Sequence, residues 1–316
     1  MRGAGDVVFR NGARSAGFTV LAITGTVGVL LLVRGFAAIK VAKFKFLTTQ
    51  AWQPDIHRFG VAAIMSGTLL IALIAVVVAT PLSIGTALFI TEIASGWLKR
   101  ALITMVDLMF AVPSVVFGLW GLFFLQGHLV GVARWLTTWF GWVPLLAVNG
   151  FNGSDPNASL SKLTSSSFIA GMVVALMIAP IQCSLMREVF SQAPMGEREG
   201  ALALGATRWG MIRMVVVPFG RGGMIGATMI ALGRALGETV AVYLIISPLF
   251  KVNLHILQSG SNSVSSLIAL RFGEASTFGL SALFAAGLAL FVVTLAINFT
   301  AASLIARSRS GAVSDV

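Results

Sequence analysis

An arginine and a glutamate stand four residues apart in an otherwise apolar stretch, as Arg234 and Glu238 of Ala-Leu-Gly-Arg-Ala-Leu-Gly-Glu-Thr-Val. On a helix this spacing puts both side chains on one face, where they can touch. An arginine offers several donors in a fixed geometry, which suits a tetrahedral oxyanion. The pair therefore predicts a site where Arg234 meets an anion and Glu238 holds or releases the guanidinium. The alternative is a self-satisfied ion pair that holds helices together.

The composition places this stretch in a membrane. Of the 316 residues, 57% are apolar and 10% are charged, and the mean hydropathy is +0.93. Soluble domains are about 45–50% apolar and about 25% charged, so a soluble globule and a disordered chain are both excluded. A charge at the bilayer centre costs about 2.5–3.5 kcal/mol on insertion scales. We therefore expect Arg234 and Glu238 to point into the bundle or into a water-filled path.

Six apolar runs reach the length of about 20 residues that a membrane helix needs. We predict an all-α integral membrane protein with spans at 16–39, 61–91, 101–125, 168–190, 223–250 and 276–306. Of the 22 lysines and arginines, twelve lie on the side of the N-terminus and nine on the opposite side. Because cytoplasmic loops carry the excess of such cations, we expect both termini in the cytoplasm.

This reading divides the chain into three parts. Residues 1–60 hold the cytoplasmic N-terminus, the first span and an outer loop, residues 61–306 form a five-helix core, and residues 307–316 are a cytoplasmic tail. The outer loop 126–167 contains Trp135, Trp139 and Trp142, which favour a helix lying at the membrane interface.

The charged loop 191–222 carries the second candidate site. Helix formers dominate its first half, and Gly205 is expected to end or bend a short helix. This helix, near residues 197–209, is a candidate docking element for a soluble partner. The alternative is a surface helix that lies on the lipid headgroups.

Further polar side chains fall inside the predicted spans. Asp107 fits two roles equally: partner of an interface cation such as Lys99 or Arg100, or a group near a pathway. Polar side chains within bundles also commonly bond across helices. Ser114, Gln182 and Thr239 are the candidates, either for lining a pathway or for bonding across helices.

The charged loop resembles the EAA signature of ABC-importer permeases. It reads Glu199-Gly200-Ala201, then Gly205, and closes with Val217-Pro218 at the spacing of the signature. Gly200 replaces the first alanine, and valines replace the usual Ile and Leu. In that family the short helix is the coupling helix, seated in a cleft of the ATPase subunit. The resemblance implies the type I ABC-importer permease fold, with ATPase coupling through Glu199, Gly200, Ala201, Gly205 and Pro218.

The run from Gly233 to Thr239 is also similar to the phosphate-specific ABC permeases, the PstC and PstA pair. The similarity extends to Pro81-Leu-Ser-Ile-Gly-Thr-Ala and to the stretch from Val106 to Gly121, and the basic N-terminus and long outer loop are more like PstC. It implies that Arg234 and Glu238 translocate phosphate. It also implies a bacterial plasma-membrane assembly with a PstA-type permease, two PstB-type ATPases and a PstS-type binding protein, periplasmic or lipid-anchored.

Other functions are weighed against this one. A permease for another oxyanion such as molybdate or sulfate, a PstA-type partner subunit and an ATP-independent channel stay open as alternatives. An enzyme is the least favoured class, since the sequence has no convergent nucleophile–base set and no metal motif such as His-Glu-x-x-His. The sequence also has no Gly-x-x-x-x-Gly-Lys-[Ser/Thr] loop. We therefore expect no catalytic residue, metal or cofactor in this chain, with ATP and Mg²⁺ bound by the partner ATPase.

Overall fold

A computed structural model describes the backbone of residues 4–309 and the side chains of residues 9–303. Within those residues, six helices are long and apolar enough to cross a membrane, namely Phe9–Ala42, Ala62–Ile93, Ser114–Phe140, Ser167–Ser191, Arg208–Gly237 and Thr277–Ser303. The predicted all-α, six-span architecture is therefore confirmed.

The first two spans are joined by a small hairpin. Helix α1 (Ala4–Ala42) is followed by α2 (Lys45–Thr48), and strand β1 (Trp52–Gln53) pairs antiparallel with β2 (Arg58–Phe59). A single 3-10 turn, Pro54–Ile56, connects the strands. Helix α3 (Ala62–Leu88) then crosses the bundle and ends in a π-helical turn, Phe89–Ile93. We call the end of the bundle that carries these strands the hairpin face.

The third span lies later in the chain than residues 101–125, so its predicted bounds are wrong. Helix α4 (Gly96–Ala111) stops at Val112, which is extended with ψ 127° because a residue before proline disfavours the helical region. The chain then crosses as α5 (Ser114–Trp120), a π-helical turn (Gly121–Leu125) and α6 (Gln126–Phe140).

This shift also changes the account of the outer loop. Trp135 and Trp139 belong to α6, the last part of the third span, and Trp142 follows it directly. The structure therefore places these tryptophans at the end of the third span and directly after it, and not on a separate interfacial helix within 126–167. The connection runs over residues 141–166, with a 3-10 turn at Leu160–Lys162.

The fourth and fifth spans flank the charged loop. Helix α7 (Ser167–Ser191) leads to α8 (Met195–Ala203), and α9 (Arg208–Met211), a π-helical turn (Ile212–Val216) and α10 (Val217–Gly237) form one continuous helix. The predicted fifth span, 223–250, thus begins too late, since this helix starts at Arg208. The predicted helix near 197–209 is divided into α8 and the start of α9. We call this end of the bundle the α8 face.

The last described part of the chain consists of two short helices, separated by a loop, and a long last span. After α10 come α11 (Val240–Ile245), a loop over residues 246–263, and α12 (Val264–Arg271) with a 3-10 turn at Phe272–Glu274. Helix α13 (Thr277–Arg309) is the sixth span. Because six spans are crossed, both described ends of the chain lie at the α8 face.

The core of the bundle consists of α3, α7 and α10, with α1 paired with α13 beside it. Helices α7 and α10 run antiparallel, since Gly220 lies against Phe190 while Thr228 lies further along α10 against Gln182. Between α1 and α13, a Cβ added to Gly35 would lie 2.8 Å from the Ala285 nitrogen. Small residues therefore set the close approach of the helices, as is usual in membranes.

Candidate functional site in the fifth span

The fifth span is interrupted directly after Arg234. Helix α10 ends at Gly237, Glu238 is extended with φ −64° and ψ 128°, and a new helix begins at Val240. Interrupted helices in a bilayer occur where the freed backbone is buried in protein or lines a water-filled cavity. The break therefore marks this region as a candidate site.

Arg234 occupies the exposed face of α10. Ile230 and Gly237 lie on the same exposed face, whereas Ala231 and Ala235 are buried against the core. Of the two expected placements, the bundle or a water-filled path, the structure therefore does not place Arg234 inside the bundle of its own chain. Because lipid does not tolerate a guanidinium at this depth, this face is left for a water-filled path or for a second subunit.

The depth of Arg234 follows from a neighbouring contact. The Gln182 Nε2 atom donates to the Thr228 Oγ1 at 3.0 Å, which fixes the level of α10 relative to α7. At 1.5 Å per residue, Arg234 lies about 9 Å beyond Thr228 toward the hairpin face, and Gln182 lies about 13 Å from the end of α7 at the α8 face. Arg234 is thus about 22 Å from the α8 face, measured along α7. Because α7 is about 37 Å long, Arg234 lies near the middle of the membrane.

Glu238 does not form the predicted contact with Arg234. The three ion pairs among residues 9–303 join other residues. The Glu238 side chain is 8% exposed, and its Oε1 accepts a hydrogen bond from the backbone N–H of Ala241 at 3.1 Å. The spacing of four residues fails because α10 ends before Glu238, and the extended residue turns its carboxylate toward the first turn of α11.

Polar groups from a distant part of the chain complete the break. The Thr239 carbonyl accepts a hydrogen bond from the Ser266 hydroxyl at 3.3 Å, and the Thr239 hydroxyl donates to the Gly237 carbonyl at 3.1 Å. Ser266 and its neighbours are buried and polar, a set that comprises Ser261, Asn262, Ser263 and Ser266. Sequence reasoning missed this segment, although its run Ser-Asn-Ser-Val-Ser-Ser is an unusual signal between two apolar spans.

The remaining candidates lie on other helices than α10 and α11. Ser114 is the half-buried first residue of α5, just after Pro113. Gln182 is fully buried and also donates to Thr80 at 3.0 Å, while its Oε1 accepts from Ser83 at 3.4 Å. Of the two roles proposed for Gln182, bonding across helices is therefore the one the structure displays.

Asp107 has a different partner from those expected. Its Oδ1 lies 3.9 Å from the Nη2 of Arg187, rather than near Lys99 or Arg100. The Arg187 side chain is 20% exposed and lies one turn before the end of α7. Arg187 lies within the span predicted at 168–190, and the structure places it as a cation at the α8 end of the bundle.

The second candidate site is α8 with the turn that follows it. Glu199 and Gly200 are exposed, whereas Ala201 is half-buried and packs against the apolar cluster at the α8 face. Gly205 has φ +86°, a value that glycine adopts without strain, and it ends the α8 segment as predicted. Pro218 is exposed near the start of α10.

Within residues 9–303, no group of three His, Cys, Asp or Glu side chains comes together as a metal site requires. A mid-membrane guanidinium on an exposed face and a short charged helix at one end of six spans are features expected of the permease subunit of an ABC importer with the type I fold.

Comparisons with known proteins agree with this class. The chain belongs to the family described as "Binding-protein-dependent transport system inner membrane component", whose profile matches residues 79–310. Two solved structures have the same fold. A bacterial ABC transporter for import of the acidic polysaccharide alginate gives a TM-score of 0.54 at 17% identity, covering 95% of this chain and 98% of that chain. The inward-facing MetNI methionine ABC transporter gives 0.53 at 13% identity, covering 77% and 93%.

Curated relatives are more specific. The phosphate transport system permease protein PstC 2 of Mycobacterium tuberculosis is 39% identical over 304 residues, which is 95% of this chain and 91% of that protein. The corresponding PstC proteins of Mesorhizobium japonicum and Haemophilus influenzae are 35% and 39% identical. They cover 97% and 87% of this chain, and 92% and 85% of their own lengths. The chain is thus a multi-pass membrane permease subunit of an ABC importer, similar to PstC proteins over nearly its whole length.

Proposed function

We propose that this permease imports phosphate as the PstC-type subunit of its transporter, and that Arg234 meets the anion in the membrane. The observation that carries the proposal is the exposed guanidinium of Arg234 on α10 near mid-membrane, where lipid would be costly. A phosphate dianion needs a cation on such a path, and the guanidinium offers several donors to its oxygens. The identity of 35–39% with PstC proteins over most of the chain supports phosphate over molybdate or sulfate.

The exposed face of Arg234 also supports a path shared by two permeases. A single chain leaves Arg234 uncovered, so a second subunit must close the other side of the path. We assign that place to a PstA-type permease. Asp107 and Ser114 lie on other elements, and no hydrogen bond or ion pair joins them to Arg234 or Glu238 in the described structure, so we assign the substrate role to Arg234, with Glu238 and Thr239 shaping the break.

The α8 face takes the ATPase in this proposal. Glu199, Gly200 and Leu202 are exposed on α8, while Ala201 faces the bundle. The exposed side fits a cleft of a PstB-type ATPase, two copies of which would serve the two permeases and bind ATP and Mg²⁺. Both termini would then be cytoplasmic, and the hairpin face would receive phosphate from a PstS-type binding protein. In this proposal, Gly205 and Pro218 lie at the two ends of the segment that passes movement of α8 to the fifth span.

The test is phosphate uptake in cells that lack only this chain and are complemented with variants. Arg234→Gln is expected to lower uptake at least tenfold, while the complex still assembles and binds ATP. Arg221→Gln is the matched control, because Arg221 is an exposed arginine on the same helix. Uptake by wild type should be inhibited by excess arsenate and not by sulfate or molybdate. Normal uptake by Arg234→Gln, or competition by sulfate or molybdate, would contradict the proposal.

A further inference from the structure

One side chain of α8 outside the EAA signature bonds this helix to the membrane spans. The Arg198 Nη1 atom lies 3.1 Å from the Glu92 Oε1 and donates to the Glu92 Oε2 at 3.3 Å. Its Nη2 donates to the backbone carbonyl of Phe190. One guanidinium therefore joins α8 to the end of the second span and to the end of the fourth.

This contact is shielded from water. The Arg198 and Glu92 side chains are 15% and 5% exposed, in contrast to the exposed pair of Arg271 and Glu274, at 49% and 80%. Exposed ion pairs are screened and contribute little. A shielded pair holds its geometry, since separating it would leave a charge buried without a partner.

The position of Arg198 on the face of α8 that meets the bundle indicates what this contact can do. Arg198 and Ala201, three residues apart, face the bundle, while Glu197, Glu199 and Leu202 are exposed on the opposite side. A force applied to the exposed side reaches the bundle through Arg198 and Ala201. Of these two residues, only Arg198 carries a directional bond to another span, and Glu92 receives it inside the π-helical turn Phe89–Ile93. Such turns are frequent at functional sites.

We propose that the pair of Arg198 and Glu92 is the positioning link that passes movement of α8 to the second span during transport. Without it, α8 would act on the spans through its covalent connections to α7 and α9 and through its packing against the turn Ile212–Val216 of the fifth span. The proposal rests on the docking of an ATPase at α8. It predicts that breaking the link uncouples ATP hydrolysis from transport while leaving the ATPase bound.

The experiment uses the whole transporter in proteoliposomes, with phosphate-loaded binding protein outside, and measures phosphate uptake and ATP hydrolysis together. Arg198→Glu is expected to lower the phosphate imported per ATP at least fivefold, while the ATPase still co-purifies with the permease. The double variant Arg198→Glu/Glu92→Arg is expected to restore the ratio to within twofold of wild type. Arg271→Glu, which breaks the exposed pair, is the control and should leave the ratio unchanged.

A double variant without charges distinguishes a link that transmits movement from a contact that only stabilises the fold. If Arg198→Glu fails to assemble, Arg198→Met replaces it, because methionine keeps an unbranched apolar stem without the charge. Arg198→Met/Glu92→Gln is expected to recover thermal stability while its ratio stays low. The proposal is overturned if a single variant keeps the wild-type ratio, if the swapped pair fails to restore it, or if the neutral pair restores it. If the ATPase does not co-purify with the wild-type permease, the proposed docking at α8 is contradicted. If the wild type takes up no phosphate, the proposed substrate is contradicted.

Discussion

The carboxylate of Glu238 accepts a hydrogen bond from the backbone N–H of Ala241 at 3.1 Å, three residues further along the chain. Glu238 stands directly before Thr239, the N-cap residue of α11, and its carboxylate satisfies one of the free N–H groups at the start of that helix. Glu238 thus has a structural task in the break that is separate from any contact with the substrate.

The two tasks of Glu238 can be separated by substitution. Glu238→Gln keeps an oxygen that can accept from Ala241, whereas Glu238→Ala removes the cap, which costs about 1 kcal/mol. If the cap alone matters, Glu238→Gln keeps phosphate uptake and thermal stability. If the charge matters, Glu238→Gln keeps stability and loses uptake. We expect the first outcome, because the Glu238 carboxylate bonds to the backbone of α11 and forms no ion pair with Arg234 in the described structure. Uptake at the wild-type level in Glu238→Gln would assign Glu238 to the cap alone.

The buried amide of Gln182 is expected to stabilise the core of the bundle. It bonds to Thr80, Ser83 and Thr228 and so joins α3, α7 and α10. Hydrogen bonds between membrane helices contribute about 0.6 kcal/mol each on average, so Gln182→Leu should lower the free energy of unfolding by about 2 kcal/mol. Thermal unfolding of the complex in detergent measures this. Gln192→Leu, at an exposed glutamine beyond the end of α7, should leave the midpoint unchanged.

The close approach of α7 and α10 at Gly223 predicts intolerance of even one methyl group. A Cβ added at Gly223 would lie 2.9 Å from the Cβ of Val189 and closer to its methyl groups. Overpacking of this kind costs about 1–3 kcal/mol, so Gly223→Ala should lower the unfolding midpoint and the yield of assembled complex. Gly25→Ala in α1, where nothing lies within 4 Å, is the control. Since alanine favours helix over glycine, that variant should be as stable as wild type or more so.

The turn after α8 depends on the backbone of Gly205. With φ +86°, a side chain at this position is strained by about 1–3 kcal/mol. We expect Gly205→Ala to reorient α8, to weaken co-purification of the ATPase and to lower phosphate uptake. Gly210→Ala, inside the helix that follows, is the control because its neighbours lie at ordinary contact distances. Equal ATPase recovery in both variants would show that the turn tolerates the strain.

Much of the fold could be predicted from local sequence properties. Apolar runs gave the six spans, and Gly205 marked the end of α8, because hydropathy and glycine conformation act over a few residues. The third span was misplaced because α4 is almost as apolar as a span, so hydropathy did not reveal the stop at Val112 before Pro113. The fifth span was misplaced for the opposite reason, since three exposed arginines hid its beginning at Arg208.

The site was harder to predict than the fold. The residue types of Arg234 and Glu238 were recognised, but the break between them was not, because Gly237 and Thr239 are weak helix breakers in an apolar run. The break is completed by the Ser266 hydroxyl on the Thr239 carbonyl, which comes from 27 positions away. The pairs Asp107 with Arg187 and Arg198 with Glu92 likewise join elements that are distant in the sequence, and no local pattern specifies such contacts.

The interruption of the fifth span also settles how two opposite charges are accommodated without touching. Arg234 lies in the last turn of α10, where the aligned peptide dipoles leave a partial negative charge, and Glu238 lies at the start of α11, where they leave a partial positive one. Each charge is thus favoured by the backbone of its own helix end, by about 0.3–1 kcal/mol at exposed positions. The guanidinium does not need the carboxylate as its counterion, and its donors stay available for a passing anion.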